Sequence, residues 1–420
     1  MPLPILTTAS CRACNTLPLS ERVHRKLDSS YRCKRWQWGS LERCCFRARI
    51  LQPMSALTVA GPLADRPAGT SPQRGQAIDS RERYSRQVLF SGIGELGQSR
   101  LAAAHVAIVG VGATGAATAG LLGRAGVGRL TLIDRDFVEP SNLQRQMLFD
   151  EEDARAALPK AEAARRHLER LNSSVSVTAH VADLVPANVE SLLAGAHILL
   201  DGTDNFETRY LLNDLAVRDG RPWIYAAAVG AYAATMNILP KAETAEPTAC
   251  LACIFPSAPS GNVETCDTAG ILSTAVNLAA SLQVTEALKF LTGQPQLMRR
   301  SLISYDLWSG EHSEISTAHP RTGCEVCDQR HFSALSGDAR PHITLCGRNS
   351  VQIHEHHRPV DLAALAARLR PLGDVRVNGM LVRFRRGEHT LTVFPDGRAL
   401  VQGTTDTGLA RSLYARFIGI

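Results

Sequence analysis

Between Gly110 and Asp204 the sequence gathers residues suited to a polyphosphate. Gly110, Gly112 and Gly115 form G-x-G-x-x-G. A turn without side chains lets backbone amides and the next helix N-terminus approach phosphate oxygens. Asp134 lies 19 residues beyond Gly115, where a carboxylate can accept from ribose hydroxyls. That much serves NAD as well as ATP. The stretch "DFVEPSNLQRQ" (136–146) adds Asn142, Arg145 and Gln146. A dinucleotide keeps its phosphates intact, and amides can hold them. Breaking the α–β bond of ATP builds negative charge that needs cations. Arg145 and Arg86, the latter in "RYSRQ", fit that task, and losing one such preorganised donor costs roughly 3 kcal/mol, about 10²-fold in rate. Asn142 can hydrogen-bond neutral or charged oxygens. After Met54 the chain has only three lysines, Lys160, Lys241 and Lys289. The one at a helix start, Lys160, offers a compact ammonium for a phosphate. "DGTDN" supplies Asp201 and Asp204 at a strand end, and one carboxylate there can hold Mg²⁺ against the triphosphate.

A second constellation is built from sulfur. "CLAC" (Cys250, Cys253) and "CEVC" (Cys324, Cys327) are two C-x-x-C pairs. Four thiolates make a closed tetrahedral Zn²⁺ site, structural because no position stays open. The pairs are too far apart for a zinc ribbon, so the metal would clamp two distant segments. Unrelated buried or disulfide-bonded cysteines are the alternative.

The elements that must position these groups alternate. "HVAIVG" and "RLTLID" read as strands around the glycine turn and its small-residue helix. "LPKAEAARRHLERL" has helical spacing, "VSVTAHVADL" is strand-like, and "AHILLDGTDN" is a buried strand ending in a polar cluster. "PWIYAAAVG" and "AATMNILP" add strands, and a long apolar helix spans about 270–292, ended by Gly293 and Pro295. Alternation of this kind predicts an α/β, doubly wound, Rossmann-like and mostly parallel sheet. From about 335 the pattern changes to "VRFRRGEHTLTVFPDGRALVQG", a hairpin with "PDG" as its turn, flanked by helical patterns at 360–370 and 407–416. The organisation expected is a leader over 1–83, an ATP-binding domain over 84–334 and a small α+β domain over 335–420.

Composition narrows the class. Of 420 residues 45% are hydrophobic, enough for a sizeable core, yet no apolar run reaches membrane-helix length. The net charge of +6 is concentrated in residues 1–53, where ten Lys/Arg face three acids. That segment carries +7 and leaves the body at −1, so charge gives no reason to expect nucleic acid. Five of the eleven cysteines also fall there. An Arg-rich, acid-poor start fits a transit peptide or an over-long gene start with translation from Met54; the second reading is preferred.

"RYSRQ", "GVGATG", "IDRDFVEPSNLQRQ", "PKAE" and "DGTDN" occur in this order. Together they resemble the ThiF/MoeB/HesA superfamily, relatives of the ubiquitin-activating enzymes, over about 84–330. The resemblance implies adenylation of the C-terminal glycine carboxylate of a ubiquitin-fold sulfur carrier ending in Gly-Gly, with pyrophosphate released. It implies that Arg145 and Lys160 contact phosphates, Asn142 the nucleotide, Asp134 the ribose, and that Asp204 goes with Mg²⁺. Arg86 resembles an arginine that the family supplies across a homodimer interface. The cysteine pairs resemble its zinc knuckle. Ala113 stands where some members have Gly. Cys266, in "ETCDTAG" before the long helix, matches a cysteine that links covalently to the carrier in some members; an inert cap thiol is the alternative. A cysteine desulfurase or another sulfur donor would then be a partner, and the setting cytoplasmic.

Two other readings stay open on the residues alone. An NAD-dependent oxidoreductase would explain the glycines and Asp134 but leave Arg145, Lys160 and the cysteines without roles. A non-catalytic partner subunit would not need the full set of Arg, Lys and Asp. Some relatives end in a rhodanese domain, but the C-terminal domain here is too short for one, so Cys346 is read as an incidental thiol and the domain as a possible aid to carrier docking.

Overall fold

The computed structural model describes residues 79–240, 246–257, 269–336, 343–346, 350–353 and 359–419. Helices α1 (Ser80–Val88) and α2 (Gly94–Ala103) lead into β1 (His105–Val109), which is buried at every position. α3 (Ala113–Ala125) follows and stops at Gly126, whose φ of +82° is left-handed. A side chain at Gly126 would strike the Tyr84 ring at 2.5 Å, so glycine is required there twice over. Then come β2 (Arg129–Asp134), α4 (Glu151–Ala156), α5 (Lys160–Leu171), β3 (Ser176–Val181), α6 (Val189–Leu192), β4 (Ile198–Asp201) and α7 (Phe206–Asp219). β5 (Trp223–Val229) and β6 (Tyr232–Ile238) form a hairpin, α8 (Leu251–Ile254) is one turn, and α9 (Ser273–Leu291) is the long apolar helix that the sequence predicts. β7 (Ser301–Asp306), β8 (Glu311–Ser316) and α10 (Ser333–Ser336) complete this part.

The eight strands are ordered β3-β2-β1-β4-β5-β6-β7-β8. β3 to β5 are parallel, and β6, β7 and β8 extend the sheet antiparallel. Strand order reverses between β1 and β4, and such a reversal opens a ligand crevice at the strands' C-terminal ends. The glycine turn leaves β1 there, and "DGTDN" leaves β4 beside it. α3 and α9 cover one face. Thr118 of α3 donates to Gln283 of α9 at 2.9 Å, and the Gln283 amide donates to the carbonyls of Asp201 and Ile224, both at 3.0 Å. One buried glutamine thus ties both helices to the strand ends beside the crevice.

The C-terminal sheet runs β11-β12-β13-β14-β10-β9, with β9 (Ile343–Cys346), β10 (Ser350–Ile353), β11 (Asp374–Val377), β12 (Val382–Arg386), β13 (His389–Val393) and β14 (Ala399–Gln402). α11 (Leu362–Leu369) and α12 (Thr407–Phe417) pack onto it around Phe384, Leu391, Val393 and Val401. The "PDG" turn joins β13 to β14, with Gly397 at φ +89°. Among the described residues no helix is long and apolar enough to cross a membrane.

Candidate adenylation site and cysteine tetrad

The crevice is built by backbones in contact. A Cβ on Gly110 (φ +81°) would meet the Gly202 carbonyl oxygen at 2.6 Å. One on Gly202 would lie 2.2 Å from the Gly110 oxygen, and one on Gly115 would lie 1.8 Å from it. These three glycines therefore let the turns after β1 and β4 touch. Gly112 differs. It caps α3 at φ −73°, and the nearest atom to an added Cβ is Gln146 Nε2 at 3.9 Å. No neighbouring protein atom requires glycine at 112; a ligand approaching the α3 amides would. Gly202 was missed in the sequence, although "DGTDN" contains it.

Asp134 ends β2 and is 9% exposed. Its Oδ2 accepts from the Val111 amide at 2.6 Å and its Oδ1 from the Asp136 amide at 2.7 Å. Burial pushes its pKa up, opposed by the Lys160 charge. A carboxylate has about four acceptor positions, so fastening the glycine turn leaves capacity for ribose hydroxyls. Lys160 is buried, 3% exposed, rather than solvated on the first turn of α5. Its Nζ sits 3.1 Å from Asp136 Oδ2, and its amide donates to the Asp136 carbonyl at 2.8 Å. Asp136 is thus the partner that the sequence reading did not single out.

Asn142 is fully buried; its Oδ1 accepts from the Glu139 amide at 3.1 Å, while its Nδ2 has no hydrogen-bond partner. Arg145 is 9% exposed and donates to the Ser141 carbonyl at 2.9 Å. Gln146 is buried, and its Oε1 also lacks a partner. An unsatisfied buried amide group costs about 1–3 kcal/mol. Two of them on one short segment, with Gln146 beside Gly112, fit a bound nucleotide that would satisfy them.

The two aspartates of "DGTDN" separate. Asp201 is fully buried and holds Arg209 Nε at 2.8 Å and the Thr203 hydroxyl at 2.7 Å. Arg209, buried itself, lies 4.8 Å from the Tyr225 ring centroid and donates to the Thr203 and Ala226 carbonyls. Asp201 is therefore committed to the fold, and exposed Asp204 is the carboxylate left for a cation. Arg86 is exposed at the end of α1. Gln87 of that helix donates to the Ala125 carbonyl at the far end of α3. Thirteen residues of helix place that end about 20 Å from the glycine turn. The fold of one chain therefore does not bring Arg86 to the crevice.

The four cysteines converge. Sγ–Sγ distances are 3.8 Å for Cys250–Cys253, 3.7 Å for Cys250–Cys324 and 3.4 Å for Cys253–Cys327. A tetrahedral Zn²⁺ with bonds of about 2.3 Å needs sulfurs about 3.8 Å apart, so the set fits the metal, and none of the four forms a disulfide. Thiols this close do not ionise independently: a hydrogen bond from Cys250 draws Cys253 down to about 2. The same hydrogen bond to Cys253 pushes Cys250 up. A dication removes that conflict. Cys266 lies outside the described residues, and at Cys346 only the backbone is described.

The ThiF family matches residues 84–326. A Bacillus subtilis (strain 168) protein, sulfur carrier protein ThiS adenylyltransferase, is 45% identical over 341 residues, 80% of this chain and 99% of that one. The SAMP-activating enzyme E1 of Haloferax volcanii is 35% identical over 59% of this chain and 89% of its own. Among solved structures, E. coli MccB with ATP aligns with a TM-score of 0.51 at 25% identity, covering 58% of this chain and 73% of that one.

Proposed function

The chain belongs to the ThiF family, and from that premise we propose how its own residues perform the family's adenylation. It is an adenylyltransferase for a ubiquitin-fold sulfur-carrier protein; which pathway the carrier feeds is open. A glycine carboxylate oxygen of the carrier attacks the α-phosphorus of ATP. The bond from that phosphorus to the bridging oxygen breaks, and pyrophosphate leaves, giving an acyl-adenylate. The observation that carries the reading is Lys160, a buried ammonium beside the ribose acid Asp134.

Lys160 and Arg145 would meet the charge that develops on the departing phosphates, and Asn142 would bond the nucleotide. Gly110, Gly112 and Gly115 would lead the phosphates to the α3 amides, and Asp134 would take the ribose. Asp204 would hold Mg²⁺, which when bound shields the triphosphate. Arg86 would reach the site from a partner subunit in a homodimer. Beside it Leu89 and Phe90 are 76% and 65% exposed, apolar ground that such an interface would cover. Tyr232, Trp308 and Ile315, exposed on β6, the turn before β8 and β8 respectively, would offer a surface for a carrier ending in Gly-Gly. The Cys250, Cys253, Cys324 and Cys327 tetrad would carry Zn²⁺ as a structural clamp, and free thiols in such a set suit the reducing cytoplasm. We assign Cys266 to the later sulfur transfer, with a cysteine desulfurase or another donor supplying the sulfur. Cys266→Ala should leave ATP–pyrophosphate exchange normal and abolish thiocarboxylate on the carrier; thiocarboxylate at the normal rate would make Cys266 structural.

A further inference from the structure

The C-terminal domain meets the larger sheet at the chain around Lys160 and at the end of β3. Residues 136–138 run beside 158–160: the Val138 amide donates to the Leu158 carbonyl and the Lys160 amide to the Asp136 carbonyl, both at 2.8 Å. This two-stranded piece carries both partners of the Lys160–Asp136 pair. It is entered from α4 through Ala157, a non-glycine residue at φ +49°. Such a conformation is disfavoured for a residue with a Cβ and persists only where the surroundings hold it.

The β11–β12 turn supplies that support. Asn378 Nδ2 donates to the Ala157 carbonyl at 3.1 Å, while its Oδ1 accepts from the amides of Met380 and Leu381, fixing its own turn. Leu381 and Phe394 bury themselves against Phe137 and Ala157. The Arg383 guanidinium lies 4.8 Å from the Phe137 ring centroid and 3.6 Å from the Glu139 carboxylate. Glu139 in turn gives its amide to Asn142. From β10, Gln352 Nε2 donates to Asp183 at 3.2 Å.

We propose that the C-terminal domain is a positioning element of the adenylation site, with Asn378 and Arg383 setting the piece that carries Lys160 and the segment that carries Asn142. This rests on the assignment of Lys160 to the phosphates. The domain acts through those residues and touches neither ATP nor the carrier. The placement accounts for a domain joined to an otherwise complete sheet.

The test uses the full chain with a carrier ending in Gly-Gly and follows acyl-adenylate formation in single turnovers at saturating ATP and carrier. Asn378→Asp keeps the acceptor that fixes the turn but removes the donor to Ala157; Arg383→Met keeps the stem and removes the charge. Each should slow the step about tenfold, a modest share of what a 1 Å misplacement can cost. The carrier concentration giving half-maximal rate should stay unchanged. In a Lys160→Met background neither should add a further loss, because coupled residues are not additive. Three results overturn the proposal: unchanged single-turnover rates where Lys160→Met is impaired, losses that multiply with that of Lys160→Met, or a changed carrier requirement at an unchanged saturated rate. If Lys160→Met alone is fully active, the phosphate assignment falls and the proposal with it.

Discussion

Lys160 is 3% exposed, pairs with half-exposed Asp136 and also acts on the buried Asp134 carboxyl. Lys160→Met keeps the stem's volume, and ATP–pyrophosphate exchange should fall at least about 10²-fold. Exchange within twofold of the parent would remove Lys160 from the chemistry. Asp214 tests a different part of the fold. It is 1% exposed, and desolvation raises its pKa to about 6, although the Ala334 amide bonds its Oδ2 at 2.9 Å. A carboxyl raised in the fold binds its proton more tightly there than in the unfolded chain. Its contribution to stability is therefore most favourable below about pH 4 and declines as pH rises toward 6, then stays flat. Asp214→Asn keeps an acceptor for Ala334, so unfolding followed across that window should lose this decline and show a gain at pH 7 of up to about 2–3 kcal/mol. An unchanged pH dependence would mean that Asp214 does not titrate in that range.

At the scale of elements, the glycine turn separates what the fold requires from what a ligand requires. Gly202→Ala would drive a methyl into the Gly110 carbonyl, so misfolding or a large loss of stability is expected. Gly112→Ala has room around its Cβ, so the protein should still fold while nucleotide binding by calorimetry weakens at least about tenfold, or roughly 1.4 kcal/mol. Equal ATP affinity would show that phosphates do not approach there. The cysteine tetrad makes its own prediction. Structural Zn²⁺ sites release about 10–16 kcal/mol, against a net domain stability of about 5–15 kcal/mol. Metal analysis should find one Zn²⁺ per chain, and chelation should unfold the segments that Cys250 and Cys324 join; folded, zinc-free protein would refute the clamp. Much of this was legible because period, glycine spacing and C-x-x-C pairs are local signals. Gly202, the commitment of Asp201 to Arg209 and the Asp136 partner of Lys160 were not legible, since each depends on strands or turns meeting in space. The seating of Asn378 on Ala157 was beyond reach for the same reason: the two stand 221 residues apart.

On the scale of the whole molecule, Arg86 belongs to a surface remote from its own chain's crevice. If a partner subunit supplies it, Arg86→Ala and Lys160→Met homodimers should both be weak, and mixing them after dissociation should restore exchange at one intact site per heterodimer. No restoration would place Arg86 outside the reaction or within its own subunit's site. The proposed parts fit together: a switch-point crevice for ATP, a cysteine tetrad suited to Zn²⁺, and a C-terminal domain that would brace the piece leading into Lys160 and α5. The function proposed for the crevice is activation of the carboxylate of a carrier protein. The most direct measurement is exchange of labelled pyrophosphate into ATP by the purified full chain, with and without a ubiquitin-fold carrier ending in Gly-Gly and with the same carrier lacking that terminus. Exchange that appears only with the intact carrier is the predicted result; exchange indifferent to the terminus, or binding of NAD with none of ATP, would contradict it.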